Sequence, residues 1–374
     1  MKKLSFLVMI IMLALSFSAL PVMAQEDEET KAYGEWYKAY QAKDWALVAR
    51  LAKDFVARYP NNANVKFVKG SIGKYQATLL EAFNNSLKAY SGPNPDAAKL
   101  ERLIADGEKY LEEKPDDFGV TVFMALSMSN GVLGNFYKDT AKAQTYVEKA
   151  LKLSENPTPP EGWKPDDYTK TVNTALANLN FYLGYQALNQ ATPNLDDAEK
   201  YLTKAASVKS ATPGEGWKDA RVYWTRAEVH GKKYSDLSRQ YSALSEDDKR
   251  GDRGKALLEQ INPLIDKMIV DYARVAAVAT SPATKQFQDA ARDSLKTYWE
   301  YKYKKPDGMN ELVKGFEADP TVEQTLPAAP AEATAPPPVE AAKLKPGVKP
   351  GATTGKPAAT KPAAKPAAGR RKPR

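Results

Sequence analysis

The residue types that most often carry catalysis are scarce in this chain of 374 residues. Cysteine is absent, which excludes thiolate metal sites and disulfides, and the single histidine, His230, excludes a histidine-cluster metal site. A serine–histidine–acid mechanism would have to use this one imidazole. His230 stands among Arg226, Lys232 and Lys233. This setting is typical of a surface histidine at a helix end, and we predict that position for it.

Two other arrangements could in principle do chemistry. Ser71 and Lys74 have the serine-to-lysine spacing of penicillin-binding enzymes, but the companion Ser-Asp-Asn and Lys-Thr-Gly elements are missing, so we regard the match as chance. Acidic pairs stand just ahead of helical patterns, where carboxylates cap backbone N–H groups; they are Asp116-Asp117, Asp166-Asp167 and Asp196-Asp197. No glycine-rich phosphate loop is present. The sequence therefore predicts no catalytic residue, no cofactor and no metal, and a protein that is not an enzyme.

Two tryptophans occupy matching places in a repeated turn. Trp163 lies in Thr-Pro-Pro-Glu-Gly-Trp-Lys at 158–164, and Trp217 lies in Thr-Pro-Gly-Glu-Gly-Trp-Lys at 212–218. Each ring follows a proline turn and precedes a helical pattern, so the favoured interpretation is that it fixes the chain onto the next helix pair. The functional alternative is a matched pair of rings that contact a ligand.

A second aromatic group lies near the end of the helical region. Tyr298, Trp299, Tyr301 and Tyr303 cannot all share one helical face, so we expect some of them to be exposed. Interleaved with lysines, Trp299, Tyr301 and Tyr303 could hold an anionic or glycan chain. The alternative, which we favour, is a crowded helix end that packs against a closing helix.

The net charge of +8 comes entirely from the C-terminal end. Residues 341–374 carry ten Lys or Arg and no acid, which leaves −2 for residues 1–340. Residues 321–374 are dominated by Ala, Pro, Lys and Gly, and such a segment cannot offset its chain entropy by burial, so we predict a disordered tail. Its candidate polyanion-binding residues are Lys361, Lys365, Arg370, Arg371, Lys372 and Arg374.

The elements that must position these residues form a repeat. Small and aromatic residues recur at an offset of 55; Ala143, Tyr146 and Ala150 return as Ala198, Tyr201 and Ala205. Stripes with helical spacing end at a proline in two earlier segments, at 45–60 and 100–115. A fixed recurrence of this length is typical of stacked helix pairs that bury their faces against one another. No alternating strand pattern is visible, so we predict an all-α fold of stacked antiparallel helix pairs.

These residues resemble the tetratricopeptide repeat family over about residues 31–218. The features that carry the resemblance are small residues at set offsets, a Leu-Gly pair and a proline after the second helix, here Ala143 with Ala150, Ala198 with Ala205, Leu183-Gly184, Pro60 and Pro115. The period of 55 is longer than that of the family. The resemblance implies an α-solenoid whose concave face, lined by first helices, holds an extended peptide or a partner's helix.

The N-terminus is typical of a bacterial secretory signal. Lys2 and Lys3 precede an apolar run over 4–20, and Ala24 closes a small-residue cleavage site, so residues 1–24 are predicted to be removed; the alternative is a retained anchor. Residues 25–320 are then the helical repeat domain, with clear repeats in 31–218 and less regular helices in 219–320. No later stretch could span a membrane. We expect a periplasmic or secreted protein.

The leading hypothesis is a non-enzymatic periplasmic scaffold or adaptor. Its repeats would bind a protein partner, and its basic tail would associate with a polyanionic surface such as an envelope polymer. One alternative is a protein that binds nucleic acid or a cell-wall polymer, although export argues against nucleic acid. The other is a hydrolase whose carboxylates are brought together from different helix pairs.

Overall fold

The computed structural model describes residues 28–156, 158–210 and 214–328, and these are largely helical. In chain order the helices are α1 (28–42), α2 (Trp45–Arg58), α3 (Val65–Tyr90), α4 (Ala97–Glu113), α5 (Phe118–Leu133), α6 (Thr140–Ser154), α7 (Pro165–Asn189), α8 (Leu195–Ser207), α9 (Ala220–Ser242), α10 (Glu246–Arg250), α11 (Asp252–Val278), α12 (Lys285–Tyr303) and α13 (Met309–Ala318). A 3-10 turn, Gly216–Lys218, precedes α9. No strand occurs among the described residues, and the predicted all-α class is confirmed.

The described residues form two compact units, and the first consists of 28–88 and 102–115. Its core is formed by α1, α2 and the start of α3, where Trp36, Phe55 and Val68 are buried together. The Trp36 indole N–H donates to Ser71 Oγ at 3.2 Å, which ties α1 to α3. An ion pair of Lys53 with Glu113, at 2.7 Å, joins α2 to the end of α4. Short turns between these helices make chain neighbours antiparallel.

The second unit consists of residues 89–101 and 116–328. Within it α5 packs on α6, α7 on α8, α8 on α9, and α11 on α9, α12 and α13. The repeated alanines fall on the buried side of the second helix of each pair: Ala143 and Ala150 in α6, and Ala198 and Ala205 in α8, are all fully buried. Small side chains at these positions let neighbouring helices approach closely. The predicted antiparallel helix pairs are therefore confirmed.

Helix starts are set by short polar side chains. Asp117 accepts a hydrogen bond from the Val120 N–H at 2.9 Å and caps α5, as the sequence predicted. The expectation is wrong for the other two acidic pairs, because residues 166–167 and 196–197 lie inside the first turns of α7 and α8. There their charge favours the positive end of the helix dipole instead. Asn194 is the side chain that caps α8, accepting from the Asp197 N–H.

Several features of the sequence fall outside this picture or extend it. The predicted signal peptide, 1–24, and the tail from 329 onward lie outside the described residues, and so do the six candidate polyanion-binding residues between Lys361 and Arg374. Residues 323–328 are not helical, and Leu326 packs against the core of the second unit. Within the described part of the chain, no helix has the length and apolarity needed to cross a membrane.

Candidate functional site

The two tryptophans of the repeated turn are half-buried and contact different residues. Trp163 meets the Phe118 ring edge-on, with centroids 5.4 Å apart, and the Tyr168 ring at 6.1 Å. Trp217 donates from its indole N–H to the Ser210 carbonyl at 3.2 Å, and the Lys218 ammonium lies 4.7 Å from its centroid. Trp163 therefore holds its turn against α5 and α7, whereas Trp217 closes its own turn.

The aromatic group at the end of α12 is mostly inside the second unit. Tyr298, Trp299 and Tyr303 are buried, and Tyr301 is half-buried with Lys304 over its ring at 4.9 Å. Only Tyr301 is partly exposed, and the burial of Trp299 and Tyr303 agrees with the favoured interpretation of a crowded helix end. Tyr298 stacks on Tyr272 of α11, whereas the Trp299 indole donates to the Asp307 carbonyl at 3.2 Å, just before α13.

The structure separates the serine and lysine that share the spacing of penicillin-binding enzymes. The Ser71 hydroxyl is buried and donates to the Val68 carbonyl at 2.6 Å. The Lys74 ammonium instead donates to the Tyr40 hydroxyl and lies over the Tyr40 ring. The two side chains have different partners, which agrees with a chance match of spacing.

His230 occupies a position that the sequence did not predict. It lies in the middle of α9 and is only 3% exposed, so the expectation of a surface histidine at a helix end is wrong. Its two ring nitrogens face carboxylates from other helices: Nε2 lies 3.2 Å from Glu199 Oε1 of α8, and Nδ1 lies 3.3 Å from Asp271 Oδ2 of α11. Neither contact is aligned well enough to be a hydrogen bond, so both are ion-pair contacts. The histidine thus links three helices.

Both carboxylates have further cationic partners. Arg226 donates to Asp271 through two nitrogens, with Nε at 2.9 Å, in a fully buried bidentate pair. Glu199 is bound by Lys233 of α9 and Lys267 of α11, each at 2.8 Å. We call His230, Glu199, Asp271, Arg226 and these two lysines the His230 network. Its members come from α8, α9 and α11, and only the fold brings them together.

An open pocket of about 350 Å³ lies beside this network. Glu199, His230 and Asp271 line it, together with Arg274. The Arg274 side chain also donates to the Pro320 carbonyl at 2.8 Å, so the segment after α13 is tied to the same place. Among the described residues no group of three acidic or histidine ligands is positioned to hold a metal ion.

The electrostatics of the network favour its charged state. The close contact with His230 is the largest effect on Glu199 and lowers the pKa of that carboxyl, against the opposing effect of burial. Burial raises the pKa of Asp271, but Arg226 and His230 lower it by more. Burial lowers the pKa of His230, yet Asp271 and Glu199 together raise it above its ordinary value. Near neutral pH the carboxylates of Glu199 and Asp271 are therefore ionised. The cations of the network that contact them largely neutralise their charges.

A surface that the sequence analysis missed lies in the first unit. Tyr37 is 43% exposed and Phe67 is 50% exposed, and among the described residues Val322 is the only other exposed large hydrophobic side chain. The Phe67 ring lies 5.7 Å from that of Tyr40, and the Lys74 ammonium lies 4.7 Å from the Tyr40 centroid and 5.8 Å from that of Trp45. We call Tyr37, Tyr40, Trp45, Phe67 and Lys74 the aromatic–lysine surface. The density of aromatic residues in 33–45 is the sequence signal that could have indicated it.

Comparison of the chain with protein-family models, with curated proteins and with solved structures finds no match. The resemblance to tetratricopeptide repeats therefore stays a prediction.

Proposed function

We propose that this chain is a non-enzymatic scaffold, exported to the bacterial periplasm, that binds a protein partner with its helix pairs. The observation that carries the proposal is the aromatic–lysine surface. Aromatic residues are enriched at protein interfaces, because a rigid ring buries a large area at small entropic cost. Tyr37 and Phe67 bring two such rings to the surface of one small unit, and Lys74 lies over the Tyr40 ring that contacts Phe67.

The basic tail adds a second binding mode to this proposal. Its ten Lys or Arg residues attract polyanionic surfaces without reading a sequence, and an envelope polymer is the polyanion available to an exported protein. Nucleic acid is the corresponding partner if the chain stays inside the cell. The tail and the helix pairs would then place a protein partner beside the polymer.

The pocket beside the His230 network is the observation that favours a hydrolase. A carboxyl group that donates a proton near neutral pH needs a raised pKa, whereas those of Glu199 and Asp271 are both lowered. Glu228, whose pKa burial does raise, is not among the residues that line the pocket. The geometry therefore supports a binding protein better than an acid–base catalyst.

Photo-crosslinking in living cells tests the scaffold. Benzoylphenylalanine replaces, one at a time, residues of both units that are at least partly exposed, including Tyr37 and the half-buried Tyr201. A partner found in the periplasmic fraction is then purified separately and mixed with the intact chain, and light scattering measures the complex. We expect a complex of fixed stoichiometry. A chain that stays in the cytoplasm, or that forms no stoichiometric complex with any crosslinked protein, contradicts the proposal.

A further inference from the structure

Three glycines inside helices of the first unit have no packing reason within the described chain. A Cβ atom added to Gly34 of α1, or to Gly70 or Gly73 of α3, would meet no atom within 4 Å. Glycine destabilises a helix interior relative to alanine, because it loses more backbone freedom on folding. In the second unit the opposite holds for Gly184, where a Cβ would lie 2.6 Å from the Leu202 side chain. Internal packing explains Gly184 and leaves the other three unexplained.

Gly70 and Gly73 lie on the same side of α3 as the aromatic–lysine surface. Spacings of three and four residues place one group of side chains on a continuous exposed face of this helix; its members are Lys66, Phe67, Gly70, Gly73, Lys74 and Ala77. We call it the glycine face. Its centre carries no side chain larger than a methyl group, and Phe67 and Lys74 border it. Such a face lets the backbone of another helix approach closely, as small residues do at tight helix contacts.

The charge around this face is mostly positive. Residues 36–43 and 65–80 contain five lysines, namely Lys38, Lys43, Lys66, Lys69 and Lys74, and the acids Glu35, Asp44 and Glu81 stand just outside these stretches. Among the described residues none of the five forms an ion pair with a carboxylate. An acidic occupant would gain from Lys66 and Lys74, which lie on the face itself, whereas a basic one would be repelled.

We propose that the glycine face binds an acidic amphipathic helix of a partner protein. The partner's small or apolar stripe lies against Gly70 and Gly73, Phe67 packs beside that stripe, and the partner's carboxylates meet the surrounding lysines. This inference rests on the proposed scaffold function and names the site and the chemistry of the partner.

Two occupants from this chain itself fit less well. The tail is rich in proline, and such segments do dock on aromatic surfaces, but residues 341–374 carry ten positive charges and no acid. A second copy placed face to face would oppose lysines with lysines. Charge complementarity therefore selects an acidic partner from outside this chain.

Synthetic peptides of about 18 residues test the proposal, a length at which an isolated helix begins to form. The first peptide has a Leu/Ala stripe on one helical face and Glu elsewhere, the second replaces each Glu with Lys, and the third scrambles the first so that the stripe is lost. Fluorescence anisotropy measures the binding of each to the intact chain. The tail is present in every variant, so differences between variants report on the folded body. Alginate, a carboxylated glycan, is the competing probe.

We expect the first peptide to bind best and Phe67→Ala to weaken it roughly tenfold, as loss of an aromatic interface residue does. Lys74→Glu should also weaken it. Tyr201→Ala is the control, because Tyr201 is a partly exposed aromatic residue of the second unit with two lysines, Lys200 and Lys204, near its ring. That substitution should leave binding unchanged.

Gly70→Ala combined with Gly73→Ala gives a test that a folding defect cannot imitate. The added methyl groups meet open space, so the double variant should raise the denaturant midpoint, because alanine favours the helix. The same methyl groups should hold the partner helix away and weaken the first peptide. A rise in stability together with a loss of binding is the expected result.

Four outcomes overturn the proposal. The first is equal binding of the peptide to all variants, and the second is equal binding of the scrambled peptide. The third is that the substitutions weaken the binding of alginate and leave the binding of the peptide unchanged, which assigns the face to a glycan. The fourth is self-association of the chain that Gly70→Ala with Gly73→Ala abolishes. If crosslinking still yields a stoichiometric protein partner in any of these cases, the scaffold function stands and only this assignment fails.

Discussion

At the scale of single residues, His230 shows how one imidazole can serve as a connection between helices. Its ring lies between Glu199 of α8 and Asp271 of α11, while Arg226 holds Asp271 from the same helix as the histidine. Removing one member of such a group leaves a buried charge without its partner, which costs more than the intact group contributes. We therefore expect the network to fix the relative positions of α8, α9 and α11 more than it adds to net stability.

We expect the stability of the protein to fall as pH rises above about 6.5, the ordinary pKa of histidine. Burial lowers the pKa of His230, but Asp271 and Glu199 raise it by more. A group whose pKa is higher in the folded state contributes fully below its unfolded pKa, and this contribution is lost as pH rises through the folded value. Urea midpoints between about pH 5.5 and 9 measure the loss.

His230→Gln is the control for this pH dependence, since glutamine does not titrate. The variant should be less stable than the wild type at the low-pH end of this window. The difference between their urea midpoints should become smaller toward high pH. Lys233 and Lys267 bind Glu199, and Arg226 and Arg274 face Asp271, so the same four cations surround the two carboxylates in both proteins. Parallel curves for the two proteins would show that His230 is not the titrating group.

Asp271→Asn should destabilise the protein by about 3–5 kcal/mol, the usual effect of breaking a buried ion pair. The carboxylate is 1% exposed, and its loss leaves Arg226 and His230 without their shared anion. Asp196→Asn is a matched change, because Asp196 pairs with Lys233 but its side chain is 93% exposed. We expect a change within about 0.5 kcal/mol there. Equal urea midpoints for the two variants would contradict the assigned burial.

At the scale of helices, the pairs are held by small residues on the side that faces the neighbour. Ala198 and Ala205 of α8 are fully buried, and Leu202 between them lies against Gly184 of α7. The close contact of α7 with α8 therefore depends on small residues, Gly184 on α7 and Ala198 and Ala205 on α8.

Gly184→Ala should destabilise the protein although alanine is the better helix former. Its Cβ would lie 2.6 Å from Leu202 Cγ and 3.2 Å from the Ala198 carbonyl oxygen, so α8 has to move. We expect a cost of about 1–3 kcal/mol, the range for overpacking. Thermal or urea denaturation measures it, with Gly73→Ala, where the added methyl meets open space, as the control. An unchanged midpoint for Gly184→Ala would show that α7 and α8 are more loosely packed.

At the scale of the whole molecule, charge is divided between the helical region and the C-terminal end. The whole chain has a net charge of +8, and residues 341–374 alone carry +10. Residues 1–340 therefore carry −2, or −4 without Lys2 and Lys3. The body as a whole should repel polyanions, even though the glycine face is locally positive. The tail is the part of the chain that attracts them.

Deleting residues 341–374 should abolish retention on an anionic polymer while the helical body stays folded. Charges spread along an exposed chain are screened over a Debye length of about 8 Å at physiological salt, so retention of the intact protein should fall steeply as salt rises. Chromatography at several salt concentrations measures retention, and circular dichroism checks the fold. Equal and salt-insensitive retention of both proteins would leave the tail only a spacer role.

The sequence by itself determined the helices and their pairing. The periodicity of apolar residues is a property of a single helix, and the offset of 55 appears when segments of the sequence are compared, so both can be read along the chain. The recurring alanines at 143, 150, 198 and 205 are the ones that the structure buries. The cap at Asp117 is equally local. Pro263 lies inside α11, which continues through it. Packing against α9, α12 and α13 along the helix outweighs the lost hydrogen bond.

Only the tertiary structure decided which polar and aromatic residues are inside. His230 is flanked by cations along the chain, yet its partners Glu199 and Asp271 come from other helices and supply the charge that makes burial possible. Trp299 is buried and Phe67 exposed for a similar reason, because exposure depends on which helices cover a ring and not on the ring's neighbours in sequence. Periodicity assigns a side chain to a face of its own helix, and the fold decides what covers that face.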